Sequence, residues 1–279
     1  MNDAWVRRAA REAARRALEE DLAGYGDLTG AVFTAETQGD VVAREDGVLS
    51  GCVVFEEAAR LVDERLGLRF ERRDGERFRA GDVLVRVLGP AASILALERT
   101  GLNFLARLSG VATMTARFVA ETDGTAARIA ATRKTTPGLR ALEKMAVVHG
   151  GGLPHRFGLF DAAMVKDNHA RAAGGVGAAV DAVRAAVGHI HGIEVEVDDL
   201  AQLDEALAAG ATVVLLDNMD LAAVRAAVER VAGRAVVEVS GGVTLERVRD
   251  LAAAGVDVIS AGALTTRSPW IDIALDLKE

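Results

Sequence analysis

The sequence predicts an α/β protein in two parts: an N-terminal α/β sandwich domain and an incomplete TIM-like α/β barrel. Two observations lead to this fold class. Short β segments alternate with helices from about residue 128 onward, whereas the preceding residues hold strands and helices without that alternation. In addition, 279 residues that are 50% hydrophobic suffice for one barrel-sized core and a smaller one.

The first part, residues 1–110, opens with a helix from about Ala4 to Leu22, which stops at Ala23-Gly24. A long helix closes it, beginning at Pro90 and bridging the two parts, with Ser109-Gly110 as a candidate kink. Between these helices the pattern predicts two short strands within Gly39–Gly51, a helix over Val53–Leu66, and strands over Leu68–Arg73 and Asp82–Leu88.

The second part, residues 111–265, shows six strand segments, two fewer than a complete TIM barrel. They begin near Arg128, Ala163, Ile193, Thr212, Ala235 and Val256. Helices fill four of the gaps, over Gly174–Val187, Leu200–Ala209, Leu221–Ala232 and Leu245–Ala254. Polar residues end every strand, and a barrel would bring those ends to one mouth, which favours a barrel over an open sheet. Residues 266–279 are expected to return to the N-terminal domain.

Composition narrows the class of protein. A net charge of −8 argues against a nucleic-acid coat or a membrane-surface protein, and no apolar run approaches the roughly 18 residues of a membrane span. We therefore expect no nucleic-acid or membrane partner. The single cysteine, Cys52, excludes an intramolecular disulfide and favours a cytoplasmic location.

Positive charge is concentrated in residues 128–169. Seven Lys or Arg residues stand there against three Asp or Glu, and three of the chain's four lysines, Lys134, Lys144 and Lys166, are among them. A lysine kept among so many arginines suggests a site that needs a compact ammonium. His155 and Arg156 follow a flexible GGGLP segment, and Arg suits a carboxylate. The cluster predicts a small anionic ligand.

Carboxylates and glycines follow the later strands. In IEVEVD the two-residue period puts Glu194, Glu196 and Asp198 on one side of a strand, where they need a cation or ligand hydroxyls. Asp217 ends VVLLD, a good position for a hydroxyl or Mg²⁺ contact. The segments Ser240–Gly242 and Ser260–Gly262 allow close approach of backbone N–H groups and predict a phosphate site.

Several segments, in order along almost the whole chain, resemble the quinolinate phosphoribosyltransferase family, the carboxylating nicotinate-nucleotide pyrophosphorylases. They are EEDLAGYGDLT, ERTGLNFLARLSGVAT, TRKTTPGLRALEKMAV, GGGLPHRFGLFD, KDNH, LLDNM, SGGVTLE and GAL. The resemblance implies transfer of phosphoribosyl from phosphoribosyl pyrophosphate to quinolinate, with loss of CO₂, to give nicotinate mononucleotide for NAD biosynthesis. It also implies an N-terminal sandwich, a partly open barrel and a homodimer or higher oligomer.

The resemblance further implies roles for particular residues. Lys134, Lys166, Glu196 and Asp217 would be catalytic. Glu196 and Asp217 would meet the ribose hydroxyls and Mg²⁺, directly or through the substrate. The implied substrate contacts are Arg99 from the partner subunit, Thr132, Arg133, Lys134, His155, Arg156, Lys166, Glu196, Asp217, Ser240, Gly241, Gly242, Ser260, Ala261 and Gly262.

Three positions depart from the family pattern: Pro154 before the HR pair, Val239 before SGG, and Thr266 where relatives often have His. None removes a charged contact, although Thr266 alters the phosphate-side loop. Three other functions remain open. One is a paralogous phosphoribosyltransferase for another ring, nicotinate-type or molybdenum-associated, which the full cation set disfavours. The others are a Schiff-base aldolase using Lys166 and a sugar-phosphate sensor, which would not need Glu196 and Asp217.

Overall fold

The structure, a computed structural model, describes residues 3–278. The described residues contain ten α-helices: α1 (Asp3–Leu22), α2 (Cys52–Val62), α3 (Ala91–Ala120), α4 (Arg140–His149), α5 (Asp167–Ala173), α6 (Val176–Val187), α7 (Leu200–Ala208), α8 (Leu221–Val231), α9 (Leu245–Ala253) and α10 (Ala263–Thr266). None of the described helices is both long enough and apolar enough to cross a membrane.

The same residues contain twelve strands. These are β1 (Glu36–Ala43), β2 (Gly47–Val48), β3 (Gly67–Phe70), β4 (Arg77–Phe78), β5 (Val83–Pro90), β6 (Arg128–Ala130), β7 (Ala163–Val165), β8 (Ile193–Val197), β9 (Val213–Asp217), β10 (Val236–Ser240), β11 (Val258–Ser260) and β12 (Ile273–Leu277). The described residues form two compact units.

The first unit comprises the described residues up to Ala116, Thr135–Gly151, and those from Arg267 onward. Its sheet is antiparallel, in the order β12-β1-β5-β3, and β2 pairs with β4 in a separate ribbon. α1 packs on α2 through an apolar stripe spaced every four residues, as expected for one face of a helix: Val6, Ala10, Ala14 and Leu18. The last strand, β12, pairs with β1, so the C-terminal segment belongs to this unit.

The helical hydrogen bonding of α3 continues through Gly110, the candidate kink. A Cβ at this position would lie 1.9 Å from the carbonyl oxygen of Pro269. Gly110 is therefore needed because the C-terminal segment passes directly against the helix. A glycine required for close packing and one required for a bend look the same in a sequence.

Residues 135–151 group with the first unit, although the sequence places them within the barrel domain. The buried Glu143 on α4 explains the difference. Its carboxylate accepts hydrogen bonds from Arg107 Nη2 on α3, at 2.7 Å, and from the backbone N–H of Thr136, at 2.9 Å. Helical periodicity predicts that α4 forms, but it does not predict which core α4 packs against.

The second unit, 117–134 with 152–266, is built on a six-stranded parallel sheet. The strand order is β6-β11-β10-β9-β8-β7, which is a ring interrupted between β6 and β7. At that interruption Leu153 forms an isolated parallel bridge with Ala130. The predicted incomplete barrel with α6, α7, α8 and α9 between its strands is confirmed, whereas the short α5 and α10 were not predicted.

Candidate active site

A cavity of about 410 Å³ lies at the carboxyl ends of the six parallel strands. Every strand contributes to it, directly or through the loop that follows, which requires the sheet to curl around the cavity. Its lining residues are Ala131, Thr132, Arg133, Lys134, His155, Arg156, Met164, Lys166, Glu196, Leu215, Asp217, Glu238, Ser240 and Ser260. The predicted convergence of polar strand ends on one mouth is therefore observed.

Two guanidinium groups share one side of this cavity. Arg156 donates to the carbonyl oxygen of Ala162 and to Met164 Sδ, both at 3.2 Å. Burial and then the repulsion of Arg133 lower the pKa of Arg156. The Nε atom of Arg133 is buried and, among the described residues, has no hydrogen-bond partner. Paired cations with an unsatisfied donor favour an anion between them.

Lys166 is held in place by the KDNH segment. Its backbone N–H donates to His169 Nδ1 at 3.1 Å, and His169 N–H donates back to the Lys166 carbonyl at 2.8 Å, forming the first turn of α5. The Lys166 ammonium forms a salt bridge with Glu196 on the neighbouring strand β8. An ammonium paired with a carboxylate is not a nucleophile, so this contact disfavours the Schiff-base aldolase.

The TRK segment after β6 is fixed by α10, the short helix that follows β11. The hydroxyl of Thr265 donates to the carbonyl oxygen of Lys134, and Thr132 Oγ1 accepts from Lys134 N–H at 3.1 Å. At Gly262 a Cβ would lie 3.0 Å from Lys134 Cδ, so a larger residue would crowd the lysine. Glycine at this position therefore makes room for Lys134.

Asp217 is oriented by its neighbour Asn218. The Asn218 amide donates to Asp217 Oδ2 at 2.7 Å, and its backbone N–H donates to the Ser240 carbonyl at 3.1 Å. Asn218 has a φ of 55°, in the left-handed region that Asn tolerates better than most residues. Gly241 is required beside it, because a Cβ there would lie 2.3 Å from Asn218 Oδ1.

The two predicted phosphate segments lie at the ends of β10 and β11. Ser240 and Ser260 line the cavity. Among the described residues, the backbone N–H groups of Gly241, Gly242 and Gly262 do not donate to any other protein group. Free N–H groups beside a cluster of cations form a suitable site for phosphate oxygens.

Two carboxylates that were not among the predicted contacts flank His155. Its Nε2 lies 3.4 Å from Glu194 Oε2 and 3.2 Å from Glu238 Oε1. Burial lowers the pKa of His155, but the hydrogen bonds and charges of Glu194 and Glu238 outweigh burial and raise it to about 9. The backbone N–H of Arg156 donates a hydrogen bond to His155 Nδ1 at 2.8 Å. This contact opposes the rise of the pKa, because it favours an unprotonated Nδ1. The pKa of His155 nevertheless lies above its usual value, because two carboxylates outweigh one amide.

Sequence signals for these missed residues were present in part. Glu194 shares the two-residue period of IEVEVD with Glu196, but the family resemblance implies a substrate contact from Glu196 and not from Glu194. Glu238 occupies the corresponding inward position of VVEVS, where an ionised residue inside a barrel strand is unusual. An ionised residue on the inward-facing side of a barrel strand is the signal that would have identified both.

The site residues also fit Mg²⁺. Glu196 and Asp217 place carboxylate oxygens on neighbouring strands, and Mg²⁺ is usually held by one or two carboxylates together with substrate phosphates. The free N–H groups of the glycine segments provide the complementary place for those phosphates. Glu196 and Asp217 are therefore the residues that could hold such a metal.

An adjoining cavity of about 620 Å³ shares Arg133, Arg156, Met164 and Lys166 with the first. Alanines of α5, α6 and the preceding loop form most of its remaining wall. The shared side chains place the cations between the two cavities.

Some basic residues of the 128–169 stretch lie elsewhere. Arg128 is exposed at the start of β6, opposite the strand end that faces the cavity, and Lys144 is buried on α4 in the first unit. Arg99 is exposed on α3 in the first unit and lines a separate cavity of about 240 Å³. The cluster seen in the sequence therefore contributes only part of its charge to the described lining of the site.

The curled parallel sheet, with cations facing two carboxylates and two glycine segments at its mouth, defines an α/β-barrel enzyme for anionic, phosphate-bearing substrates. Family models agree. Residues 111–276 match the C-terminal domain of quinolinate phosphoribosyl transferase, and residues 27–109 match its N-terminal domain.

Relatives span nearly the full chain. A Mycobacterium leprae protein named nicotinate-nucleotide pyrophosphorylase (carboxylating) is 45% identical, over 96% of this chain and 97% of its own. A Bacillus subtilis protein named probable nicotinate-nucleotide pyrophosphorylase (carboxylating) is 42% identical, over 92% and 90%. The crystal structure of the Ehrlichia chaffeensis nicotinate-nucleotide pyrophosphorylase superposes with a TM-score of 0.92 at 36% identity, over 96% of this chain and 98% of its own. The chain therefore belongs to the quinolinate phosphoribosyltransferase family.

Proposed function

We propose that this protein transfers the phosphoribosyl group of phosphoribosyl pyrophosphate to quinolinate, releasing pyrophosphate and CO₂ and forming nicotinate mononucleotide for NAD biosynthesis. The observation that carries the proposal is one cavity that holds a cation cluster, Arg133, Arg156 and Lys166, opposite the carboxylates Glu196 and Asp217. Family membership and the names of the full-length relatives support the same reaction.

The cation cluster suits the acceptor. Quinolinate carries two carboxylates, and the two guanidinium groups with Lys166, Lys134 and His155 offer enough charge for both. A monocarboxylate such as nicotinate would leave part of this charge without a partner, and an unpaired charge in a partly buried site is costly. The same reasoning disfavours the nicotinate-type paralogue.

The carboxylates and glycine segments suit the donor. Glu196 and Asp217 would bind the ribose hydroxyls and hold Mg²⁺, directly or through the substrate, while Ser240–Gly242 and Ser260–Gly262 would bind the 5-phosphate. Bound Mg²⁺ would neutralise charge on the departing pyrophosphate. Free N–H groups at Gly241, Gly242 and Gly262, together with the paired strand-end carboxylates, support this assignment.

The chain's own residues would act mainly by positioning and electrostatics. The cations would hold the quinolinate ring so that its nitrogen bonds to ribose C1 while the bond from C1 to pyrophosphate breaks. Glu196 and Asp217 would stabilise the positive charge that develops on the ribose. The 2-carboxylate then leaves as CO₂, its bonding electrons remain on the cationic ring, and a proton takes its place. No side-chain nucleophile is required.

Arg99 would complete the site from the partner subunit of a homodimer, as the family resemblance implies. Its exposed position on α3 in the first unit is compatible with a contact to a second copy. Mixing inactive Arg99→Ala and Lys166→Ala proteins would test this. If Arg99 serves the partner's site, subunit exchange creates dimers with one site free of both changes, and activity returns. Absence of recovery, after native mass spectrometry has confirmed exchange, would contradict the assignment.

The reaction itself is tested by a steady-state assay with quinolinate, phosphoribosyl pyrophosphate and Mg²⁺, with nicotinate in parallel as the acceptor. We expect nicotinate mononucleotide from quinolinate and none from nicotinate. Product from nicotinate alone would show that the protein is the nicotinate-type paralogue.

We also propose a cytoplasmic location, because the chain has a single cysteine, and no nucleic-acid partner, because its net charge is acidic.

A further inference from the structure

Three side chains from separate elements meet beside the cavity, and two of them, His155 and Glu238, line it. His155 comes from the loop before β7, Glu194 from β8 and Glu238 from β10, and both carboxylates face the same imidazole nitrogen, Nε2. Because β9 lies between β8 and β10, the ring is held across three strands of the sheet. Neither glutamate belongs to the proposed set of substrate contacts.

The two carboxylates are expensive to bury. Glu194 is 8% exposed and Glu238 4%, and Glu194 Oε1 and Glu238 Oε1 make no hydrogen bond within the described chain. Buried anions without full compensation cost free energy, and apolar residues are the usual filling of a barrel interior. Their contact with His155 is the evident compensation, so the function of the pair is to be sought in what it does to His155.

The backbone at His155 is also constrained. Its φ of 52° lies in the left-handed region, which is unfavourable for a non-glycine residue. Strained conformations of this kind persist when surrounding contacts fix them, and they are concentrated at functional sites. On one side of the ring the carboxylates fix Nε2, and on the other the Arg156 N–H donates to Nδ1 at 2.8 Å.

That second contact decides between two uses of the cluster. The three side chains have ligand atoms within 4.8 Å of one another and could in principle surround a cation. However, a neutral histidine that binds a metal through Nε2 carries its proton on Nδ1, where the Arg156 N–H already points. With Nδ1 accepting, the proton lies on Nε2, facing the carboxylates. The geometry favours a clamp in which the two carboxylates form ion pairs with Nε2 over a metal site.

We propose that Glu194 and Glu238 are positioning residues for the quinolinate half of the site, clamping the His155 ring and through it the backbone of Arg156. Both clamped residues line the cavity. Without the clamp, the ring is free to rotate and the strained backbone to relax, which displaces two acceptor contacts. The donor half, on Glu196 and Asp217, has separate anchors in Lys166 and Asn218. The assignment rests on the proposed function only in naming the acceptor.

The first test compares Glu194→Gln and Glu238→Gln with wild type, varying each substrate in turn. Loss of one of the two carboxylate charges that face His155 Nε2 predicts that KM for quinolinate rises roughly tenfold, with KM for phosphoribosyl pyrophosphate changed by less than about twofold. Glu238→Ala should raise KM for quinolinate more than Glu238→Gln does, because Gln keeps an oxygen that can accept from Nε2–H. Equal rises in both KM values would overturn the proposal, because they would indicate a general structural defect.

Two controls sharpen that comparison. Glu121→Gln removes a carboxylate of the same unit that pairs with Arg249 at 3.0 Å, outside the cavity, and should leave both KM values unchanged. In a His155→Asn background, Glu238→Gln should add little, because the group it positions is gone. Full additivity of the two changes would contradict the clamp.

A readout independent of activity separates this inference from the proposed function. Nitrogen-15 NMR of the imidazole side chains, with His155→Asn assigning one signal among five histidines, reports which ring nitrogen carries the proton. Near pH 10, above the pKa of about 9 where the ring is neutral, we expect the His155 proton on Nε2 in wild type and a mixed tautomer in Glu194→Gln/Glu238→Gln. Unchanged signals would overturn the clamp even in an active enzyme. One equivalent of zinc, released from wild type by a chelator and lacking in Glu238→Gln, would overturn it in favour of a metal site.

Discussion

Lys166 and Glu196 form a salt bridge between the end of β7 and strand β8, inside the cavity. The proposed reaction assigns Lys166 to the acceptor and Glu196 to the donor. In the salt bridge, Lys166 therefore pairs with the carboxylate that the donor would bind, and Glu196 pairs with the ammonium that the acceptor would bind. A quinolinate carboxylate would compete with Glu196 for the Lys166 ammonium, and its binding would leave Glu196 available for the ribose.

Glu196→Gln should therefore affect the two substrates in opposite ways. Removing the competing carboxylate frees Lys166, so quinolinate alone should bind at least as tightly as to wild type in a calorimetric titration. The kcat/KM for phosphoribosyl pyrophosphate should fall at least about tenfold, equivalent to about 1.4 kcal/mol. Asp198→Asn, at an exposed position just after β8, is the control. Weaker binding of quinolinate by Glu196→Gln would show that the two groups do not compete.

Arg133→Ala and Lys166→Ala should each lower kcat/KM for quinolinate at least about tenfold, or about 1.4 kcal/mol of transition-state stabilisation. The reason is the loss of a cation facing a dianionic acceptor. Arg128→Ala, which removes an exposed guanidinium at the opposite end of β6, should have no effect. Near-normal kinetics in either cavity variant would remove that residue from the acceptor site.

Gly241→Ala tests the support of Asp217. Its Cβ would lie 2.3 Å from Asn218 Oδ1, so Asn218 must move and release the Asp217 carboxylate. Gly174→Ala is a matched control, with a φ of +85° against +84° but no atom within 4 Å. Both variants should lose on the order of 1 kcal/mol of stability from backbone strain. Only Gly241→Ala should raise KM for phosphoribosyl pyrophosphate, and an equal rise in both would refute the crowding.

The clamp on His155 predicts a pH-dependent contribution to stability. The pKa is raised in the folded protein from 6.5 to about 9, so the stabilisation is fully present below about pH 6.5 and is lost as the pH rises through 9. The shift corresponds to at most about 3 kcal/mol. Urea unfolding should show a larger difference between wild type and His155→Asn near pH 6 than near pH 10. A difference that does not change with pH would contradict the charged form.

Much of the barrel was predictable because its signals are local. Alternating apolar strands and amphipathic helices located all six parallel strands, and polar residues at their ends predicted a shared mouth. Local patterns do not encode which core a helix packs against, and α4 is an example, because it groups with the first unit although it lies within residues 111–265 of the sequence. The strands β2 and β4 contain two residues each, and a segment of that length is too short to show a two-residue period.

Candidate site residues are predictable where one residue type at one strand end has an evident chemical use. Arg133, Lys166, Glu196 and Asp217 are candidates of this kind, and the structure places all four in the lining of one cavity. Asn218 and the clamp of Glu194 and Glu238 act through other side chains. Their contribution depends on contacts between strands and on the left-handed backbone at His155, and neither is visible from residue types along the chain.

The most direct test of the proposed reaction is a single turnover with quinolinate carrying ¹³C in its 2-carboxyl group, in the presence of phosphoribosyl pyrophosphate and Mg²⁺. We predict that labelled CO₂ and nicotinate mononucleotide form in equal amounts and that the nucleotide carries no label. Label retained in a nucleotide product would show ribosyl transfer without decarboxylation. No nucleotide from quinolinate, despite bound phosphoribosyl pyrophosphate, would show that the barrel serves another acceptor.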